Sequence, residues 1–296
     1  MAHQRDDAIA IHDGFDAGRV LDAIVEGRTT HLFVVPTMLY ALMDHPRIEA
    51  ADLSALRRII YTAAPISPTR LTQALRLFGP ILHQNYGQTE VPGTILSLTP
   101  EDHLDPRGDR LTSAGKPYPC VSVRILDDAG QEVPPGGIGE LCVRAPHVTE
   151  GYWNKPEATR ELLRDGWLHT GDMAHRDADG YFHIVDRKKD MIISGGFNIY
   201  PQELENVLAE HPAVSMAAII GIPDGKWGEA VKAVVVTRPG HAVEAAELIA
   251  LIREQKGPVM APKTLEFVSS LPLTGVGKVD KKALRAPYWT GRRGVN

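Results

Sequence analysis

The stretch that decides the fold is residues 186–196, Asp-Arg-Lys-Lys-Asp-Met-Ile-Ile-Ser-Gly-Gly. It opens with a charged run, continues as a short apolar strand, and ends in a glycine pair that permits positive φ or close approach of a ligand. Short strands and turns precede the run, whereas about a hundred residues of mixed helix and strand follow it, which is a normal domain size. We therefore place a domain boundary at residues 186–190.

Well before this boundary, predicted strands alternate with predicted helices. Residues 31–35 form a short, partly β-branched run that predicts a buried strand, and Thr37 then predicts the N-cap of a helix. Residues 57–61 repeat the pattern as a second strand, and Ser67 predicts the N-cap of a helix that ends at Phe78. This alternation is typical of a parallel α/β layer.

From about residue 111 the pattern changes to short alternating strands separated by turns rich in Asp, Gly and Pro, which predicts a β-rich module. Beyond the boundary, Pro201 opens a predicted helix in a small α+β unit. We therefore predict mixed α/β and α+β architecture. Residues 1–187 would form a partial large domain, with a parallel α/β layer and a β-rich module. Residues 188–296 would form a small C-terminal domain. The further predicted strands are 121–126, 139–144, 181–185, 214–221 and 231–237, and the further predicted helices are 202–210 and 243–256.

The composition predicts a soluble, cytoplasmic protein. The chain has 296 residues, of which 43% are hydrophobic, and its net charge of −5 argues against a nucleic-acid or anionic-membrane binder, which would need a basic face. Cys120 and Cys142 are too few for a disulfide framework. Residues 1–7 are polar, unlike a signal peptide, and the apolar residues 31–43 are interrupted by Pro36 and too short to span a bilayer.

The first candidate site motif is Tyr86-Gly87-Gln-Thr89-Glu90, which follows a predicted strand. A glycine lets the backbone approach a ligand, an aromatic ring can stack on a base, a hydroxyl can donate to a phosphoryl oxygen, and a carboxylate can hold Mg²⁺. Taken alone, the motif is more often a strand-to-turn junction with a solvated glutamate. The motif therefore indicates a ligand site only when other motifs accompany it.

Three further residues carry chemistry that suits a nucleotide. Asp172 could accept both hydroxyls of a ribose, and Arg187 begins the charged run at the boundary. Lys278 lies in a Gly-flanked loop that is not a Walker phosphate loop, because Pro272 replaces its first glycine and Val279 follows the lysine. A lysine on such a loop can still reach another domain as a mobile point charge. A turn aspartate, a solvated face and a surface lysine are the ordinary alternatives.

Together, in this order, the motifs resemble those of the adenylate-forming enzymes, which include acyl-CoA synthetases, peptide-synthetase adenylation domains and luciferases. The connecting residues 115–117, 139–141 and 151–154 match as well, and the resemblance covers residues 15–285. Members of this family activate a carboxylic acid with ATP, releasing pyrophosphate. They then pass the acyl group of the acyl-adenylate to a thiol, usually that of coenzyme A.

The resemblance implies a role for each candidate residue. Tyr86, with Ala63 and Ala64, would border the adenine, and Gly87 would let the backbone approach the bound nucleotide. Thr89 would touch the α-phosphate, and Glu90 would hold Mg²⁺. Asp172, assisted by Arg187, would bind the ribose, and Lys189 would be the hinge. Lys278 would be the adenylation lysine, and Gly195 and Gly196 would line the thiol channel after domain rotation. Phe33, Met38 and Leu39 would line the pocket for an apolar acid, whether fatty, alicyclic, steroid-derived or aryl.

One family feature is absent from the printed sequence. Residues 1–15 contain no Lys-bearing loop rich in Ser, Thr and Gly, and family chains are roughly twice as long. The expectation is a fragment or truncated ligase, with two alternatives: a non-catalytic remnant that binds AMP or acyl-AMP, or a subunit that needs a separate N-terminal half. Homo-oligomerisation through an exposed half-sheet would fit the latter. The sequence has no Gly-x-Ser-x-Gly motif, which argues against a hydrolase. Its histidines lack the spacing of zinc ligands, which argues against a metalloenzyme.

Overall fold

The computed structural model describes residues 8–11, 13–275 and 277–289 and contains three sheets in succession along the chain. The first sheet has the spatial order β1-β2-β3-β4-β5, and three helices accompany it. Its elements are α1 (Ala17–Val25), β1 (His31–Val34), α2 (Pro36–Met43), β2 (Arg58–Thr62), α3 (Pro68–Phe78), β3 (Leu82–Gln88), β4 (Val91–Leu98) and β5 (Lys116–Pro117).

Strands β1, β2 and β3 are parallel and connected through α2 and α3, which confirms the predicted parallel α/β layer. The prediction that the first strand is buried is wrong. In the described residues β1 is an edge strand, so only one neighbour covers it, and Phe33 on it is 70% exposed.

The two predicted N-caps have different outcomes. Ser67 caps α3, since its Oγ accepts a hydrogen bond from Arg70 N at 3.2 Å. Thr37 does not cap α2, because Pro36 already takes the first helical position and leaves Val35 as the N-cap residue. The Thr37 hydroxyl instead donates to the carbonyl oxygen of Gly277 at 3.0 Å.

The second sheet is antiparallel, with the order β10-β9-β7-β6 and β8 beside β9, which confirms the β-rich module. The ten-residue strand β9 was not predicted, because Thr170, Gly171 and Asp172 interrupt its apolar alternation. Its elements are β6 (Ser122–Leu126), β7 (Gly139–Arg144), α4 (Pro156–Leu162), β8 (Leu163–Arg164), β9 (Trp167–Arg176) and β10 (Phe182–Arg187).

The third sheet follows the charged run and has its own apolar core, as expected for a separate α+β unit. Its order is β12-β11-β14-β13, with β15 parallel to β14. Among the described residues, no helix combines the length and apolar character needed to cross a membrane. The elements are β11 (Ile192–Ser194), β12 (Phe197–Ile199), α5 (Pro201–Glu210), β13 (Val214–Asp224), β14 (Gly228–Thr237), α6 (Ala245–Lys256), β15 (Thr264–Phe267) and α7 (Lys281–Arg285).

Gly115 is a point where the first sheet requires glycine. Its φ is +98°, and a Cβ atom there would overlap the carbonyl oxygen of Ser97. We expect Gly115→Ala to lower the free energy of unfolding by about 2 kcal/mol, through backbone strain and steric overlap together. Urea denaturation measures this change. Gly130→Ala is the control, since Gly130 has φ +75° and open space around its Cβ position. Equal losses in the two variants would contradict the steric part of the argument.

Candidate active site

Asp172 is the centre of the candidate site. It lies on β9 with only 5% of its surface exposed, between Tyr86 of the first sheet and Arg187 of the second. The Tyr86 hydroxyl donates to Oδ2 of Asp172 at 2.6 Å, and Arg187 Nε lies 3.3 Å from Oδ1. The structure therefore brings together three residues that the sequence analysis assigned to one nucleotide site.

The strand register explains this meeting. Arg187 is the direct partner of Asp172 in the antiparallel β9–β10 pair, and a register shift between Ile184 and Asp186 precedes it. Irregularities of this kind re-aim side chains near functional sites. Tyr86 approaches from β3, where the first sheet borders the second.

Burial and neighbouring charges shift the pKa values of the two central charged residues of the site. Burial raises the pKa of Asp172, while its hydrogen bond from Tyr86 and the charges of Arg187, Lys278 and Lys189 oppose that rise. Burial, and then the charge of Arg187, lowers the pKa of Lys278, with Asp172 acting in the opposite direction. Lys278 and Lys189 are therefore both within electrostatic reach of the Asp172 carboxylate.

A cavity of about 480 Å³ lies beside Arg187, the ion-pair partner of Asp172. This volume falls in the range of small-molecule sites. Thr170 and Gly171 form one side of it, and three consecutive cations form another, so the cavity favours an anionic ligand. Those cations are Arg187, Lys188 and Lys189.

Lys278 arrives on a loop closed by a hydrogen bond from Thr274 N to the Lys278 carbonyl oxygen at 2.7 Å. The loop rests on the first turn of α2 through the contact between Thr37 and Gly277. The third-sheet unit thus presents its lysine to a site built by the other two sheets.

Glu140 is a site residue that the sequence analysis did not single out. Its buried carboxylate accepts from Gly171 N at 3.0 Å through Oε1, and Oε2 lies 3.1 Å from His169 Nδ1. It therefore holds His169 and Gly171 of β9, directly before Asp172 in the chain. The only signal was its place in the Gly-Glu-Leu segment at 139–141. Nearby, burial raises the pKa of the Cys142 thiol to about 12, which disfavours its nucleophilic thiolate form.

The turn between β3 and β4 holds Thr89, which is exposed, and Glu90. The Tyr152 hydroxyl donates to Oε1 of Glu90 at 2.6 Å, and this bond raises the pKa of Tyr152 to about 12. In the described part of the chain no group of three or more candidate ligands forms a metal cage. One carboxylate fits Mg²⁺ all the same, since this ion is held largely by water and substrate phosphates.

The Gly195–Gly196 pair forms the turn between β11 and β12, with φ of +60° and +83°. A Cβ atom on Gly195 would lie 2.5 Å from the indole of Trp227. Trp227 is 42% exposed, and the ammonium groups of Lys226 and Lys263 lie 4.8 and 5.5 Å from its ring centroid. The sequence analysis missed this tryptophan, which lies outside the motifs.

The remaining predicted residues have separate environments. Ala63 has a strained φ of +76° after β2, and Gly87 is required because a Cβ there would lie 2.5 Å from the carbonyl oxygen of Gly93. Ala64 is half-buried beside Ala63. The structure does not gather the three predicted acyl-pocket residues around one cavity: Leu39 is enclosed in the first core, Met38 packs against that core, and Phe33 is exposed.

Two family models match the chain. Residues 8–153 match the AMP-binding enzyme family, and residues 203–278 match the AMP-binding enzyme C-terminal domain. A medium/long-chain-fatty-acid–CoA ligase of Mycobacterium tuberculosis is 51% identical over 284 residues, which are 94% of this chain and 49% of that protein. The chain thus spans about half the length of the curated relatives it matches.

Solved structures give the same result. The amide bond synthetase of Marinactinospora thermotolerans superposes with a TM-score of 0.88 at 43% identity, over 94% of this chain and 56% of that one. The o-succinylbenzoate-CoA synthetase of Bacillus subtilis, in complex with its acyl-adenylate intermediate, gives 0.83 at 32% identity, over 96% and 56%. This chain belongs to the adenylate-forming superfamily of AMP-binding enzymes.

Proposed function

We propose that this chain provides the nucleotide-binding and lysine-bearing part of an acid–thiol ligase. The enzyme would activate a carboxylic acid with ATP to acyl-AMP and then form the acyl thioester of coenzyme A. The observation that carries the proposal is the position of Lys278, within electrostatic reach of Asp172 and of Arg187, which lines the cationic cavity.

In the first step, a carboxylate oxygen of the acid forms a bond to the α-phosphorus of ATP, and the bond to pyrophosphate breaks. Lys278 would lie between the attacking carboxylate and the α-phosphate and stabilise their negative charge in the transition state. The Thr89 hydroxyl would donate to an α-phosphate oxygen. Glu90 would hold Mg²⁺, which neutralises phosphate charge when bound. The step needs positioning and charge rather than proton transfer.

Asp172 suits the ribose because its oxygens already point into a polar, buried setting. Tyr86 and Arg187 each occupy one side of the carboxylate, and an ionised carboxylate has further lone pairs for two hydroxyl donors. Tyr86 and the turn at Ala63 and Ala64, with Gly87, would then border the adenine.

The second step needs another face of the small domain, residues 188–296. Rotation about Lys189 would withdraw Lys278 and bring Gly195 and Gly196 to the site. The flat glycine surface beside Trp227 suits the narrow arm of a thiol substrate, and Lys226 suits its phosphates.

The acid is proposed to be apolar, as the sequence predicted. A relative supports this class, since the M. tuberculosis protein is named for medium- and long-chain fatty acids. An amine acceptor is the competing second step, since the M. thermotolerans neighbour is an amide bond synthetase.

A second candidate function is a subunit that binds AMP or acyl-AMP and needs a separate N-terminal half for catalysis. The favouring observation is that the chain spans about half the length of the relatives it matches. Such a subunit should bind AMP more tightly than ATP in calorimetric titrations, because contacts to the β- and γ-phosphates would be absent.

The test of the proposed function is product analysis by mass spectrometry. The chain is incubated with ATP, coenzyme A and a panel of fatty and aryl acids, alone and mixed with the N-terminal half of the M. tuberculosis relative. The proposal predicts acyl-CoA, AMP and pyrophosphate. Formation of ADP and phosphate instead would contradict it. Product only in the mixture would identify the subunit function.

A further inference from the structure

A nearly buried cluster of charges lies next to the proposed hinge, outside the nucleotide site. Lys281, the first residue of α7, places its ammonium 2.7 Å from Oε1 of Glu205 on α5. Oε1 of Glu205 also accepts from Ile219 N at 2.8 Å. The carboxylate of Asp186 on β10 adds a third charge, within electrostatic reach of Lys281.

Asp186 belongs to the second sheet but bonds the third-sheet unit. Its Oδ2 accepts from Gln202 N at 2.9 Å, in the first turn of α5, where Tyr200 supplies no side-chain cap. Its Oδ1 accepts from Arg187 N at 2.7 Å. A helix N-terminus favours a carboxylate. The contact between Asp186 and Gln202 bridges the proposed hinge at Lys189, so rotation of the small domain would break it.

Burial disfavours the charged form of both Lys281 and Asp186, but the net pKa shift of the two residues differs. Burial lowers the pKa of Lys281, but the nearby carboxylates of Glu205 and Asp186 outweigh it and leave that pKa raised. For Asp186, burial raises the pKa to about 6, even though the Lys281 ammonium opposes the rise. The docked arrangement therefore suits Lys281 but disfavours ionised Asp186.

The cluster is also connected to the loop of Lys278. Only two residues separate Lys278 from Lys281, and Asp280 between them caps α7 by accepting from Ala283 N at 2.9 Å. Arg285, at the other end of α7, contacts Asp190 Oδ1 at 2.8 Å and the Lys189 carbonyl oxygen at 3.3 Å. Helix α7 thus directly follows the Lys278 loop in the chain and contacts the hinge through Arg285.

We propose that Lys281 is a positioning residue whose buried ammonium offsets the burial of Asp186 and so keeps the Lys278 loop docked. Hydration of Asp186 favours the rotated state instead. We call this arrangement of Lys281, Glu205 and Asp186 the latch. The docked, adenylating state is therefore favoured, but the small domain can still rotate away from it. The roles of Lys278 and of the rotation rest on the proposed function, whereas docking itself can be measured without any reaction.

The test is single-molecule energy transfer on this chain. One dye is attached to the exposed thiol of Cys120, since Cys142 is buried, and the other to Glu254→Cys on the exposed face of α6. The docked population is compared in wild type, Lys281→Met, Lys281→Arg and Lys282→Met. Lys282 is the exposed neighbour of Lys281 and serves as the matched control.

Lys281→Met should raise the ratio of undocked to docked molecules about tenfold, because ionised Asp186 loses the cation that offsets its burial in the docked state. The Lys281–Glu205 pair lies within the small domain and is lost equally in both states. Lys281→Arg should stay within about twofold of wild type, and Lys282→Met should not change. Asp186→Asn should act in the opposite direction and should reverse the effect of Lys281→Met in the double variant. A folding defect would not be rescued this way. Unchanged docking in Lys281→Met, or no rescue by Asp186→Asn, would overturn the proposal.

Acidity gives an independent readout. The groups around Asp186 are Lys281 of α7, Glu205 of α5 and Tyr200 before it. Asp186 holds its proton up to a pH of about 6 when docked and to about 4 when hydrated, so docking is favoured at low pH and lost as pH rises through 6. The undocked-to-docked ratio should rise about tenfold from about pH 5 to about pH 7.5. This dependence should vanish in Asp186→Asn, and its persistence there would contradict the latch.

Discussion

Lys278→Ala is expected to lower the rate of acyl-adenylate formation about 1000-fold. Removal of one preorganised charge from a buried transition-state site has effects of this order. Lys278 is half-buried and within electrostatic reach of Asp172 and Arg187, so water screens its charge only in part. The measurement is rapid-quench detection of acyl-AMP from acid and ATP, in the form of the enzyme that product analysis shows to be active.

The same variant should form thioester from supplied acyl-adenylate within about threefold of the wild-type rate, because the second step uses the Gly195–Gly196 face. Lys282→Ala, an exposed lysine on α7, is the matched control and should leave both steps unchanged. Equal losses in the two half-reactions of Lys278→Ala would show that Lys278 is not confined to the first step.

Asp172→Ala is expected to weaken AMP binding about 300-fold, or about 3.4 kcal/mol. Two charge-assisted hydrogen bonds to the ribose would be lost, and Tyr86 and Arg187 would lose their shared partner. Titration calorimetry measures the affinity directly.

Asp179→Ala provides the control, because Asp179 is an exposed carboxylate whose ion pair with Arg107 lies away from the cavity. Its AMP affinity should equal that of wild type. The unfolding midpoints of both variants are measured in parallel, because Tyr86 and Arg187 lose their partner in Asp172→Ala and any loss of stability must be separated from the loss of ribose contacts. Unaltered AMP binding in Asp172→Ala would remove the ribose assignment.

The sequence predicted much of this site because its residues lie in contiguous motifs. Asp172, Arg187 and Tyr86 were each named from short motifs and from the family resemblance that these motifs carry, and the structure joins them by hydrogen bond and ion pair. The parallel layer also follows from local patterns, since β-branched runs and turn residues act over short distances.

Other features depend on contacts that no local pattern encodes. Glu140 and Trp227 act through partners on other strands, and the latch joins residues of β10, α5 and α7. Thr37 shows how a tertiary contact changes a local prediction, since Pro36 displaced the helix start and freed the hydroxyl for Gly277.

The measurement that tests the central claim most directly is ATP–pyrophosphate exchange, with wild type and Lys278→Ala side by side. The chain is assayed alone and combined with the N-terminal half of the M. tuberculosis relative, across the panel of fatty and aryl acids. The account predicts exchange that requires an apolar acid and disappears in Lys278→Ala. Exchange that survives in Lys278→Ala, or no exchange with any acid in a mixture that binds AMP, would contradict it.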